Sequence, residues 1–303
     1  MADAVEEIIE RATRVVTSGA WLPQVARSVR RTYGAGMSEF GTFGDVHVAI
    51  DDDHVATAEI RRPPNNFFDL DLIDSLVVAF GALDGEPTAR AIVLRSEGKH
   101  FCAGANFAGR ARGEEPPPPT NPDGSPRHLY DAAVALFATR TPVVAAVQGA
   151  AVGGGLGLAC MPDFRVAAPE ARFAANFARL GFHHGFGLTV TLPGVVGQQK
   201  ALELLYTGRR IKGDEAAEIG LVDKLVPLDQ LQSAAHELAA EIAASAPLAV
   251  TSIRETMRGD LSARIRTATD RELIEQDKLQ QTDDWREGVK AMAERRTPDF
   301  QAR

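Results

Sequence analysis

Apolar and polar residues alternate along Val46-His47-Val48-Ala49-Ile50 and again from Val55 to Ile60, with Asp51–Asp53 between them. That two-residue rhythm with an acidic turn predicts a β-hairpin. Arg61-Arg62-Pro63-Pro64-Asn65-Asn66 breaks the pattern. Over 69–83 the spacing becomes helical, with Leu72, Ile73, Leu76, Val77 and Phe80 on one face and Asp69 at the N-cap position. Uninterrupted apolar runs at 91–94, within a strand expected over 91–95, and at 143–147 predict buried strands. A helix is expected over 128–140, and short strands at Phe164-Arg165-Val166-Ala167 and Ala171-Arg172-Phe173-Ala174. From 188 the chain reads as mostly helical, with a turn near 208–213. Strand–helix alternation giving way to helices predicts an α/β core with a helical C-terminal part.

Two stretches stand outside this pattern. Residues 1–36 carry helically spaced Val5, Ile8, Ile9, Val15 and Val16, then a basic run with Arg27, Arg30 and Arg31. They read either as a helical extension or as a misassigned start ahead of Met37. Residues 109–127, with four consecutive prolines at 116–119 and Asn121-Pro122-Asp123-Gly124, predict an extended loop.

The chain has 303 residues, 45% hydrophobic and 24% charged, enough for one large domain or a domain with an appendage. A net charge of −8 argues against a nucleic-acid partner. Cys102 and Cys160 make neither a disulfide framework nor a metal-type CxxC, so a cytoplasmic home is expected, with no metal or redox cofactor. The longest apolar run is too short to span a bilayer.

The chemistry concentrates in two small-residue segments, Phe101-Cys102-Ala103-Gly104-Ala105-Asn106 and Gly149 through Gly157. Each follows an apolar strand run. Small residues at strand ends let a ligand approach the backbone, and a helix starting at Gly153-Gly154-Gly155 would aim its positive end at that ligand. Two amides brought together in this way form an oxyanion hole, which stabilises charge developing on a carbonyl oxygen.

These segments, as Ser96–Asn106 and Gln148–Gly157, resemble the crotonase (enoyl-CoA hydratase/isomerase) superfamily. So do Asp163–Ala167, Leu180–Phe182, Leu204–Gly208, Ala216–Asp223 and the tail from Glu287 to Phe300. The resemblance runs from about 43 to the C-terminus. It implies an α/β spiral of ββα units over 37–235, trimerising helices over 236–303, and a homotrimer or hexamer acting on an acyl-CoA thioester. It implies that the amides of Ala105 and Gly154 form the hole and that the Ala103 carbonyl meets the CoA adenine. Met292 and Arg295 fall where the family holds CoA, often from a neighbouring subunit. The family often has a lysine where Pro64 stands; Arg61 and Arg62 are the nearby cations. Gly153, Asn106, Gly157 and Phe177 complete the expected substrate-binding set. Cys102 reads as packing, not as a nucleophile.

The departures carry as much as the matches. Hydratases of this family use two glutamates, one to activate water and one to protonate the α-carbon. Their positions hold Gly157 and Phe177. His183 and His184 are the candidates for proton transfer instead, since histidine titrates near neutrality. Asn106 replaces an aspartate, and His128 sits beside the proline loop, at the surface or at a pocket mouth. The expected activity is enolate chemistry other than simple hydration: isomerisation, C–C cleavage, decarboxylation or ring closure. The alternative is a catalytically silent acyl-CoA-binding or scaffold member of the same fold.

Overall fold

The computed structural model describes residues 37–107, 120 and 127–303. The expected N-terminal extension (1–36) and most of the 109–127 loop lie outside them. A seven-stranded sheet runs in the order β1 (Met37–Phe43), β2 (Val46–Asp51), β3 (Val55–Ile60), β4 (Ala91–Ser96), β5 (Val143–Val147), β7 (Phe164–Ala167), β10 (Lys224–Leu225). The β2–β3 hairpin is antiparallel; from β3 onward the strands are parallel. A second sheet of three strands, β6 (Ala150–Val152), β8 (Arg172–Ala174) and β9 (Arg210–Lys212), stands beside it.

The continuous apolar runs of β4 and β5 follow from burial on both faces. Ile92, Leu94, Val143, Ala145 and Val147 enter the main core. Ala91, Val93, Val144 and Ala146 face the other way, onto Leu231, Ala234, Ala235, Ala239 and Ala243 of α7 (Leu231–Ala243). Helix α7 crosses position 235 and is tied back to the first hairpin by His236, whose Nε2 lies 2.6 Å from Asp51 Oδ2. On the main-core side, α1 (Leu70–Asp84) buries Leu72, Ile73, Leu76 and Phe80, and the Asp69 carboxylate accepts the Leu72 amide at 3.0 Å.

Two strands escape the sequence pattern. Strand β1 is a half-buried edge with a bulge between Glu39 and Gly41, so it lacks clean alternation. At 210–212, where a turn is expected, Ile211 alone is buried and the three residues pair with β8.

The remaining helices are α2 (Leu129–Leu136), α3 (Gly154–Cys160), α4 (Leu188–Val196), α5 (Gln198–Thr207), α6 (Gly213–Glu218), α8 (Pro247–Arg258), α9 (Leu261–Leu279) and α10 (Asp283–Glu294). Helix α8 is held by charge. Asp163 accepts the Val143 amide at 2.8 Å and pairs with Arg254 at 3.0 Å and with Arg258. No α8 residue is buried, and Leu248, Ile253 and Met257 are 85%, 64% and 75% exposed.

Candidate active site

The two small-residue segments lie side by side. The Cys102 amide donates to the Ala150 carbonyl at 2.9 Å, and the Val152 amide returns to the Cys102 carbonyl at 3.1 Å. Gln148 stitches the first segment down, its Nε2 reaching the carbonyls of Ser96, His100 and Gly98 at 2.8, 3.1 and 3.2 Å. Side chains would prevent this approach: a Cβ on Gly155 would sit 2.1 Å from the Cys102 carbonyl oxygen. Gly153 turns the chain into α3 at φ 57, ψ −121, a conformation that favours glycine. Its amide is spent on the Ala174 carbonyl at 2.8 Å. The amides of Ala105 and Gly154 find no acceptor among the described residues. Gly154 opens α3, where the first amides have no partner within the helix.

Both residues line a cleft of about 1700 Å³. Ala103, Asn106, Gly153, Phe177, Met292 and Arg295 border the same cleft, the last two from α10 and its C-cap in the same chain. One stretch of the lining is charged, with Glu59, Arg95, Lys99, Glu170, Arg172 and Arg210. There Arg95 pairs with Glu59 at 2.8 Å and Arg172 is bound to three backbone carbonyls. The other stretch is apolar and holds Phe68, Phe107, Phe177, Phe182 and Phe186.

Gly157, Arg62, His183 and His184 are not among the described residues that line the cleft. Gly157 lies behind Phe186: a Cβ there would be 2.7 Å from the Phe186 ring. Arg62 is occupied, with Asp45 at 2.5 Å, Asp69 at 2.8 Å and the Phe67 carbonyl at 3.0 Å. The His183 Nδ1–H donates to the His184 carbonyl at 2.7 Å. His184 Nε2 lies 2.8 Å from Thr189 Oγ1, whose own proton goes to Glu272 at 2.6 Å, so His184 donates there. Burial, then the neighbouring His183, pushes the His184 pKa down to about 4, which keeps it neutral. The pair reaches the cleft through Gln276, a lining residue whose Nε2 donates to the His183 carbonyl at 2.9 Å.

Sequence reasoning passed over two residues here. Tyr130 lines the cleft and its hydroxyl donates to Gln276 Oε1 at 3.0 Å; burial raises its pKa and keeps the proton on oxygen. Phe186 sits at φ +60, unusual for a large side chain. The run Gly185-Phe186-Gly187 was its only signal in the sequence. His128 borders the cleft too, but caps α2: its Nδ1 accepts the Tyr130 amide at 3.1 Å, and burial lowers its pKa.

Cys102 lies in the hole segment and is fully buried. Burial pushes its thiol up to about 12, so little thiolate forms near neutrality. Native protein is therefore expected to resist iodoacetamide at Cys102 at pH 8, with the site labelled only after unfolding. Peptide mass spectrometry checks this, and rapid native labelling would refute the packing role.

Comparison with known proteins bears on the family and the fold. Residues 51–303 match the enoyl-CoA hydratase/isomerase family. An enoyl-CoA hydratase of Mycobacterium tuberculosis is 33% identical over 258 residues, 82% of this chain and 94% of that protein. A carnitinyl-CoA dehydratase of Salmonella typhi is 32% identical over 249 residues, 80% and 94% of the two chains. Among solved structures, a carnitinyl-CoA hydratase from Mycobacterium avium superposes with a TM-score of 0.74 at 28% identity, covering 86% of this chain and 99% of that one. An enoyl-CoA hydratase/isomerase from Pseudoalteromonas atlantica gives 0.74 at 27% identity, covering 85% and 100%.

Proposed function

The chain belongs to the enoyl-CoA hydratase/isomerase family, and within it we propose an acyl-CoA enzyme that stabilises a thioester enolate without a two-carboxylate hydration step. One observation carries this reading. Two unpartnered amides, Ala105 and Gly154, belong to residues that line a cleft where Phe177 stands at one hydratase-glutamate position, while the other, Gly157, lies behind Phe186. The thioester oxygen accepts both N–H groups, and the hole strengthens its hold as negative charge moves onto that oxygen. The Ala103 carbonyl and the charged stretch near Arg95, Lys99, Arg172 and Arg210 suit the polar, anionic portion of CoA, with Met292 and Arg295 closing over it.

Among the reactions open to such a hole, C–C cleavage and decarboxylation fit this lining best. In both, the electron pair of the breaking bond passes to the α-carbon and on to the thioester oxygen. In decarboxylation CO2 leaves and no base is needed at 157 or 177. In C–C cleavage water adds to a β-carbonyl, or takes the proton of a β-hydroxyl, so that the fragment leaves as an acid or a carbonyl compound. In both, water protonates the α-carbon to end the step. His183 and His184 enter as positioning residues, acting through Gln276 and Glu272.

The test is a mass-spectrometric screen of acyl-CoAs for turnover, with α-deuterium exchange followed in D2O. Exchange or C–C cleavage supports the reading. Full crotonyl-CoA hydration, unchanged in a His183→Ala/His184→Ala variant, overturns it. Tight binding with neither exchange nor turnover would favour the silent acyl-CoA-binding alternative.

We also propose a homotrimer or a dimer of trimers, for which the exposed Ile253 and Met257, four residues apart on one face of α8, are the support. Ile253→Glu with Met257→Glu is expected to drop the mass seen by light scattering to that of a monomer. A wild-type protein already monomeric at micromolar concentration would refute the assembly.

A further inference from the structure

The apolar stretch of the cleft is built from rings set around the hole itself. A Cβ on Gly154 would lie inside the Phe68 ring, and a Cβ on Gly153 would touch the Phe177 ring at 3.8 Å. The edges of two rings, Phe68 and Phe177, therefore stand beside the successive glycines that start α3. Behind Phe68, the Phe186 ring packs at 5.4 Å between centroids. Behind Phe177, Phe182 follows at 5.5 Å, and Phe182 rests on Trp285 at 4.5 Å. Phe107 joins the second group, 6.1 Å from Phe182 and nearly perpendicular to it.

These walls are fixed in place. Phe186 holds its left-handed backbone because the neighbouring chain is pinned on several sides. The Tyr130 hydroxyl donates to Gln276, Gln276 donates to the His183 carbonyl, and the buried Glu272 accepts the Gly187 amide at 2.9 Å. Strain persists where surroundings over-determine it, and such places cluster at functional sites. Trp285 is tied at its amide to Thr282 Oγ1 at 3.1 Å, so Phe182 rests on a rigid partner.

We infer that the acyl group this site selects carries a flat aromatic ring close to the thioester, held between the Phe68/Phe186 wall and the Phe177/Phe182 wall. The inference rests on the acyl-CoA reading above and adds the substrate class. A flat ring packs against these preset aromatic side chains with few rotors to freeze, and gains ring–ring contacts beyond its area. A straight alkyl chain of equal carbon count loses more freedom on ordering there.

Calorimetric titration with phenylacetyl-CoA, octanoyl-CoA and CoA alone tests it, the two esters having the same number of acyl carbons. Phenylacetyl-CoA is expected to bind about tenfold tighter than octanoyl-CoA. Phe177→Leu and Phe182→Leu keep apolar character but remove a ring; each is expected to erase most of that preference by weakening the aryl ester more than the octanoyl ester. Circular dichroism confirms that the variants fold. Octanoyl-CoA binding as tightly as phenylacetyl-CoA, or a preference retained in both leucine variants, overturns the ring-bearing class and leaves the acyl-CoA reading standing. Neither ester binding better than CoA alone overturns the acyl-CoA reading itself.

Discussion

Gly154→Ala is expected to lower turnover by about 10²–10³-fold, the loss seen when one oxyanion donor is removed. The substitution keeps the amide and adds one methyl group, but that carbon would sit 1.9 Å from Phe68 Cζ and 2.0 Å from Cε1. The Phe68 ring is itself buried against Phe186, so it cannot step aside without disturbing a second ring. Either α3 shifts away from Ala105 or the Phe68 ring swings into the cleft, and both outcomes spoil the convergence of the two donors. Ala103, Arg172 and Arg295 are untouched, so CoA affinity should change much less than kcat. Phe68→Ala in the same protein removes the obstruction and should restore part of the rate. The α-deuterium exchange rate in the single and double variants is the measurement. Wild-type exchange in Gly154→Ala would mean that Gly154 is not a donor.

Much of the frame behind that prediction is legible in the residues alone. Asp69 announces the start of α1 because a carboxylate at that position satisfies an amide the helix leaves open. The runs at 91–94 and 143–147 read as buried strands because both faces of the sheet are covered, one by the main core and one by α7. The proposed hole is legible because close backbone approach tolerates only small residues, and Gly104 and Gly155 record that exclusion directly. The walls of the cleft are another matter. His183 and His184 follow Leu180-Gly181-Phe182 closely enough to suggest a place in the cleft, but backbone direction turns both rings toward Thr189 and the His184 carbonyl. Arg62 has the charge for phosphate and stands near the right segment. Asp45 and Asp69 claim it first, and neither pairing has a sequence signature, Asp45 lying in a different turn. Phe186 is the least legible, since its position depends on a positive φ fixed by contacts from α2 and α9 far along the chain.

Gly157→Glu alone is expected to yield no hydratase and a less stable protein. The resemblance places a hydratase glutamate at 157, so simple replacement invites the expectation of regained water addition. The space is taken: a Cβ at 157 would lie 2.7 Å from Phe186 Cδ1 and 2.8 Å from its Cβ, and Phe186 is 1% exposed. Overpacking of this kind costs about 1–3 kcal/mol, and a carboxylate forced against apolar rings adds a desolvation penalty. For a chain of this size the melting temperature should fall by roughly 5 °C or more. Phe186→Gly in the same protein vacates the ring volume and puts glycine where φ is +60, a conformation it adopts without strain. Gly157→Glu/Phe186→Gly should therefore recover stability relative to Gly157→Glu. Adding Phe177→Glu then places both carboxylates at the hydratase positions, and crotonyl-CoA hydration should rise above the background of either single glutamate. Calorimetry and the loss of the enoyl absorbance follow the two effects separately. A Gly157→Glu protein that melts like the parent and hydrates crotonyl-CoA would show that Phe186 does not occupy the acid's place. The expected pattern makes glycine at 157 and phenylalanine at 186 one packing unit, in which the glycine leaves the room that the Phe186 ring takes.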